Sequence, residues 1–405
     1  MSATRQAHRG DLLEQPVILS ACRTPIGMLL GELSALSAPK LGTVVAQAAL
    51  QRCGVDPGQV DEVIMGNVLS ASLGQAPARQ VAIHAGIPAA SSALTINKMC
   101  GSGLKAIMLA AQGIATADCD VIVAGGMESM SRAPHLITGL RKGCKFGDEE
   151  IKDSMMHDGL FCPFDERIMG EQADYLADTE NISREDQDRY ACESQRRAAD
   201  AMESGFFEEE IVPVEVPGRG GVKMVRADQG VRPETTVEKL AGLKAFFGKN
   251  GTVSAGNASQ ISDGAAAAVV SSRHFAEANR IKPLARIVAY ASAGVPPRDV
   301  FVGPVPAIRK VAERANLSLD EIDLFEINEA FAVQVLACIR PLGLSTDRVN
   351  VHGGAIALGH PIGASGARVL VTLLHAMRRR GDKRGLAALC LGGGGAVAMI
   401  VELED

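Results

Sequence analysis

The chain has 405 residues, a formal net charge of −6 and a hydrophobic fraction of 47%. Aromatic residues make up 3% and Trp is absent, so Val, Ile, Leu, Ala and Met must fill the core, which with 43 Gly fits layered α/β packing better than a β-sandwich. There is no basic block and little interleaving of aromatic and basic residues, which argues against a nucleic-acid partner. The length predicts two or three domains. The nine cysteines are scattered and no pair has C-x-x-C spacing, so neither a metal site nor a disulfide framework is indicated. Unpaired thiols suit a reducing compartment. No secretory apolar region and no run of about 18 apolar residues is seen, so a soluble, cytoplasmic protein without a membrane partner is expected. Met1–Gln15 reads as a frayed tail.

Pro16–Ala21 predicts a buried strand, and Arg23–Gly27 a turn. Leu41–Arg52 has helical apolar spacing and stops at Gly54. Val60–Asn67 predicts the next strand, and Val81–Ala85 lies in a short helix. An apolar run (Ala93, Leu94, Ile96) then leads through Cys100-Gly101-Ser102-Gly103 into a small-residue helix, and Val121–Gly126 predicts a buried strand. The pattern is βαβαβ, with buried strands and helices on their faces. From Met127 to about Gly251 the chain turns polar and charged, with one clear helix at Arg184–Ser204 capped by Ser183. This segment reads as an insertion covering a cleft; the plainer reading is a helical appendage.

Core-like sequence returns at Ser262–Ser271, and the first pattern then recurs in order. Leu284–Ala289 matches the opening strand and Pro306–Asn316 the first helix. Leu319–Leu324 echoes Val60–Val63, Ser365-Gly366 echoes Ser102-Gly103, and Leu386–Gly393 echoes Val121–Gly126. One α/β unit is duplicated, and two such halves meeting face to face would place equivalent loops around a shared site. The expected division is residues 1–130 with 252–277 as the first half, 131–251 as the insertion and 278–405 as the second half.

Four stretches carry chemistry. Cys100 sits where a strand feeds a helix, and orphan N–H groups and the helix dipole there favour a thiolate. A buried, inert thiol is the alternative. Asn328-Glu329-Ala330-Phe331 and Gly353–Pro361 lie where α/β sheets bind ligands, beyond strand ends or at helix starts. His360, in the element that repeats the Cys100 elbow, would make a nucleophile–base pair with it, although a lone His is often structural. Cys390 ends a strand before Gly392–Gly395, whose exposed N–H groups suit an oxyanion hole. Ser102 lies in C-G-S-G rather than G-x-S-x-G, which argues against a serine hydrolase. No G-x-G-x-x-G follows the first strand, which argues against a Rossmann dehydrogenase.

Taken together, Arg23–Gly27, Asn97–Gly103, Ser254–Ser259, Asn328–Ala332, Gly353–Arg368 and Cys390–Gly394 resemble the thiolase family in type, order and spacing. Arg141–Asp148 resembles its acetoacetyl-CoA (biosynthetic-type) branch. The resemblance implies a layered α/β/α/β/α core of duplicated βαβαβ units with an inserted loop domain over the CoA site. It implies reversible Claisen condensation of two acetyl-CoA through an acyl-cysteine, with a degradative 3-ketoacyl-CoA thiolase as the alternative. Cys100 would be the nucleophile, His360 its base, Cys390 the acid/base thiol, and Asn328 the holder of a water beside His360. The N–H groups of Cys100 and Gly392 would form one oxyanion hole, with His360 in another. Ser259, Arg232, Met169 and Ala255 would contact CoA. No metal and no cofactor beyond the CoA thioester is implied, and the assembly would be a homodimer or a homotetramer held by Leu140–Asp148. A non-catalytic relative that binds CoA esters would be expected to have lost one of Cys100, His360, Asn328 or Cys390, and all four are present. Two departures concern substrate contacts: Ile168 stands where the family often has His, and Gly395-Ala396 where Gln-Gly is usual.

Overall fold

A computed structural model describes residues 14–404 except 219, 249 and 250. The expected tail therefore lies almost wholly outside the described residues. The first half runs β1 (Pro16–Arg23), α1 (Ala38–Cys53), β2 (Glu62–Gly66), α2 (Pro77–His84), β3 (Ser92–Ile96), α3 (Ser102–Ala115) and β4 (Val121–Ser129). Helices α4 (Met169–Thr179) and α5 (Arg184–Glu203) precede β5 (Ser262–Ser272). The second half runs β6 (Ala285–Gly294), α6 (Pro304–Ala315), β7 (Leu324–Ile327), α7 (Ala332–Leu342), α8 (Ala355–Leu358), α9 (Ile362–Arg380), β8 (Arg384–Leu391) and β9 (Gly395–Leu403).

The strands lie in the order β7-β8-β9-β6-β1-β5-β4-β2-β3. In the first half β2 is parallel to β3 and β4, while β5 runs antiparallel to β4 and β1. In the second half β7 is parallel to β8, and β9 is antiparallel to β8 and β6. A parallel bridge from Phe325 to Val349 stands where β3 would be. The two halves thus repeat one topology and join through a short β1–β6 pairing, Val17 with Arg286 and Ile18 with Ala285. This is the duplication read from the sequence, and the layering follows from it. Strands β4 and β5 are buried along their whole length because apolar and small residues fill both faces. One core lies under α1 and α2, one under α6 and α7, and a third surrounds the central α3 and α9. The result is an α/β/α/β/α stack.

The central pair positions everything that follows. A Cβ on Gly103 would lie 2.7 Å from the Ala367 nitrogen, and one on Gly366 would lie 2.4 Å from the Leu104 nitrogen. Backbone therefore meets backbone at the start of both helices, and glycine is required there. Cys100 and His360 each lie just before one of these helix starts.

Two boundaries differ from the sequence reading. Helix α9 begins at Ile362, not Ser365, because Pro361 occupies the N-cap position and the Ala364 and Ser365 N–H groups bond its carbonyl. Strand β4 continues beyond Gly126 to Ser129 because its ladder to β5 continues. The polar character that begins at Met127 therefore starts inside a core strand. The segment after β4 is tied to the core by Arg23, which is fully buried and bonds Glu210 (Nε to Oε1, 2.5 Å) and Asp228 (Nη1 to Oδ1, 2.7 Å). Among the described residues no helix is long and apolar enough to cross a membrane.

Candidate active site

Cys100 lies in a tight turn between β3 and α3. Ser102 Oγ donates to the Met99 carbonyl at 2.7 Å and accepts from the Lys98 N–H at 2.8 Å, and Asn97 Oδ1 accepts from the Met99 N–H at 3.0 Å. These bonds hold Met99 at φ 48°, a left-handed conformation that costs a non-glycine residue about 1–3 kcal/mol. The strain aims Cys100 into a cavity of about 450 Å³ that is also lined by His360, Cys390 and Gly392.

The helix terminus does not control the thiol. Burial pushes Cys100 up to about 11; the N–H groups of Gly392 and of Cys100 itself pull the other way, and the Glu128 charge adds to the rise. Burial therefore opposes the pull of the helix terminus toward a thiolate, and a neighbouring base would draw off the proton. The two N–H groups that favour the anion, those of Gly392 and of Cys100 itself, both lie beside the Cys100 sulfur.

His360, on the same cavity, presents a ring nitrogen able to take a proton. Its backbone N–H donates to the Gln260 carbonyl at 2.9 Å. Its Nδ1 lies 2.6 Å from Ser365 Oγ, whose own hydrogen goes to the Pro361 carbonyl at 2.9 Å. Nδ1 must therefore carry the proton and donate to Ser365, which leaves Nε2 with its lone pair. Nε2 is buried and has no partner among the described residues. Burial, with a further contribution from the Arg368 charge, lowers His360 to about 3, so the free site holds a neutral thiol and a neutral imidazole.

Cys390 ends β8 and is 2% exposed. The β8–β9 turn closes through Gly393 and Gly394 at φ 85° and 89°, a conformation glycine adopts without penalty. Burial raises the Cys390 thiol well above its ordinary value, and the Cys100 charge adds to this, which places the two thiols within electrostatic reach. Asn328 follows β7, is 1% exposed, and puts Nδ2 3.5 Å from His360 Nδ1. It is beside the base rather than on the cavity wall.

Ser259 and Met169 line the cavity, as does Ile168. Arg232 and Ala255 do not: Ala255 is exposed in the turn after Ser254, and the Arg232 N–H bonds Gln195 Oε1 at 2.8 Å. Sequence reasoning missed the apolar walls, which include Met156, Leu160, Phe247 and Phe301. It also missed Glu128, which accepts from Asn67 Nδ2 and from the N–H groups of Val68, Leu69 and Gly363, and so pins the start of α9 beside His360. Burial raises this carboxyl to about 7, yet its oxygens meet only donors, so geometry requires the ionised form. A charged residue closing an apolar strand was the available signal.

The family model described as the thiolase N-terminal domain matches residues 16–274, and that of the thiolase C-terminal domain matches 281–403. An acetyl-CoA acetyltransferase of Cupriavidus necator is 52% identical over 387 residues, covering 95% of this chain and 98% of its own length. The crystal structure of the Bacillus anthracis acetyl-CoA acetyltransferase superposes with a TM-score of 0.96 at 42% identity, over 98% of this chain and 100% of the other. That of human mitochondrial 3-ketoacyl-CoA thiolase gives 0.94 at 42% identity, over 97% and 100%. With both domain models matched along nearly its whole length, and with Cys100 and His360 lining one cavity, the chain belongs to the thiolase family.

Proposed function

We propose that the protein is an acetyl-CoA C-acetyltransferase that condenses two acetyl-CoA to acetoacetyl-CoA and CoA, reversibly. The observation that carries this is the convergence of Cys100, Cys390, the free Nε2 of His360 and the Gly392 N–H on one cavity. In the first half-reaction Cys100 Sγ attacks the thioester carbonyl as its proton passes to His360 Nε2. The N–H groups of Cys100 and Gly392 hold the oxyanion, and the CoA thiolate leaves with a proton from Cys390. In the second, the Cys390 thiolate removes the α-proton of another acetyl-CoA. The enolate oxygen is held by the His360 imidazolium, with Asn328 beside it through a water. The enolate carbon attacks the acetyl group on Cys100, whose thiolate recovers its proton from His360. The high proton affinity that burial confers on Cys390 suits a base acting on a weak carbon acid. No metal or further cofactor takes part in this scheme.

Ser259 and Met169 would contact the pantetheine arm, with Arg232 and Ala255 further out toward the adenine end. Residues 131–251 would form the cover, between core halves at 1–130 with 252–277 and 278–405. A cytoplasmic homodimer or homotetramer is expected, with Leu140 and Phe146, which are 56% and 103% exposed, available for a further contact between copies. The apolar wall at Met156, Leu160 and Ile168 favours a second reading, a degradative 3-ketoacyl-CoA thiolase of broader chain length. Thiolysis of 3-ketoacyl-CoAs of increasing length, beside acetyl-CoA condensation, separates the two. A steep fall beyond acetoacetyl-CoA supports the first reading, and equal rates with long chains overturn it.

A further inference from the structure

We propose that Arg368 is a positioning residue for the condensation half of the reaction: it fixes which end of the Asn328 amide faces His360. Asn328 is held between two groups on the α9 side. Its Oδ1 lies 3.5 Å from Arg368 Nη2, and its Nδ2 lies 3.5 Å from His360 Nδ1. An amide has one accepting and one donating end, whereas a guanidinium only donates. Arg368 therefore selects Oδ1 for itself and turns Nδ2 toward His360. The His360 Nδ1–H is a donor as well and by itself would draw Oδ1, so with that cation gone the amide is expected to turn over and take Nδ2 away from His360.

The surroundings of Arg368 support an orienting role over a purely stabilising one. Arg368 and Glu326 are 1% and 2% exposed. Their closest approach is 3.9 Å, from Nη1 to Oε2, too long for a direct hydrogen bond. Arg368 Nε and Nη1 and Glu326 Oε1 have no partner among the described residues. A buried ion pair this loosely satisfied adds little stability compared with an apolar pair of the same volume. What it does supply is a fixed donor fork and a positive charge behind the base. Glu326 and Asn328 lie two positions apart at the end of β7, so the strand's alternation sends both toward α9. The charged groups that act on Arg368 are Glu326, Glu210, Glu329 and Arg23, and Arg368 is the charge that acts on His360. Its field adds to burial, the larger cause, in disfavouring the imidazolium.

The inference rests on the thiolase reading of the site, and the two fail differently. If the wild-type protein is not acetylated at Cys100 by acetyl-CoA, the reading itself fails. If the wild type is acetylated, variants test Arg368. Arg368→Met combined with Glu326→Gln removes both buried charges at once. The expected result is a fall in condensation kcat of about 10- to 100-fold at unchanged KM, with Cys100 acetylation slowed less than about threefold. The acid limb of the condensation profile should also move to higher pH, because His360 loses the charge that opposed its protonation. Arg368→Lys, which retains the cation but not the fork, should restore the acid limb and only part of kcat. It also serves as the test if the double variant does not fold. Wild-type kcat in either folded variant overturns the proposal, as does an equal loss of acetylation and condensation.

Discussion

The junction between β4 and β5 and the junction between β8 and β9 occupy the same place in the two halves and do opposite things. In the second half, Gly392–Gly394 join the strands directly, and the turn delivers Cys390 and the Gly392 N–H to the cavity. In the first half, residues 130–261 fill the same junction and carry most of the apolar wall, including Met156, Leu160, Ile168 and Phe247. At this junction the duplicated frame thus carries a cavity-lining cysteine in one half and a long stretch of cavity wall in the other. The asparagines that follow β2 and β7 diverge in the same way. Asn67 is saturated: Nδ2 bonds Glu128 Oε1 at 2.7 Å and the Met127 carbonyl at 3.2 Å, and Oδ1 accepts from Ser70 Oγ at 2.6 Å. Asn328, at the equivalent place, has only side-chain contacts of 3.5 Å. A fully bonded amide holds structure, and a loosely bonded one is available to a ligand.

The sharpest test of that division is at the two elbow thiols. Cys100→Ala should abolish both covalent labelling by acetyl-CoA and condensation, a loss on the order of 10⁴-fold or more. Cys390→Ala should still be labelled, because Cys100 and His360 remain, though more slowly since the CoA thiolate then leaves without a proton from Cys390, and should lose condensation by on the order of 10²–10⁴-fold, the usual worth of a positioned base. Normal condensation by Cys390→Ala would make Cys390 a packed strand end and move the α-proton step to His360.

The paired asparagines give the next contrast. Asn67→Ala should lower unfolding stability by about 1–3 kcal/mol, since Glu128 loses a donor in a buried setting. Asn328→Ala should leave the melting temperature nearly unchanged and lower condensation kcat by on the order of tenfold or more. The reverse pattern in thermal melts and steady-state rates would break the comparison.

The free site also makes a pH prediction. With Cys100 held near 11 and His360 near 3, the thiolate fraction must rise through the whole range between them. Inactivation by iodoacetamide should accelerate about tenfold per pH unit from 7 to 10, as expected of a thiol reacting through its anion. A plateau near neutrality would mean a resting thiolate–imidazolium pair. Cys144 is exposed and should be modified in parallel without loss of activity.

The duplication was legible because strand and helix patterns survive as apolar periodicity. Cys100, His360 and Cys390, which the structure brings to one cavity, stood out in the sequence because each lies beside glycines that a core would not otherwise need. The thiol's ionisation was not legible, since it depends on desolvation by residues distant in sequence, with Glu128 among its charged neighbours. The cavity wall was not either: Met156, Phe247 and Phe301 are ordinary apolar residues until folding brings them together. Arg23 stood within a recognised motif, but its partners Glu210 and Asp228 became visible only in three dimensions.

The smallest expected effect concerns Arg232, where the insertion meets the second half. Gln195 on α5 bonds the Arg232 N–H through Oε1 and the Ile356 carbonyl through Nε2 at 3.3 Å. Gln260 Nε2 reaches the same Ile356 carbonyl and that of Gly230, both at 2.9 Å. The backbone at 230–232 is therefore fixed to α8, a few residues before His360, whatever the arginine side chain does. Arg232→Ala should leave this scaffold intact, so kcat should hold. If the guanidinium meets the phosphates or adenine of CoA, it does so equally in the ground and transition states. Its loss should then raise KM for acetyl-CoA by about three- to tenfold, the mark of lost uniform binding. The rise should shrink as salt is added, because an exposed charge pair is screened. An unchanged KM at low salt would remove Arg232 from the proposed CoA-binding surface.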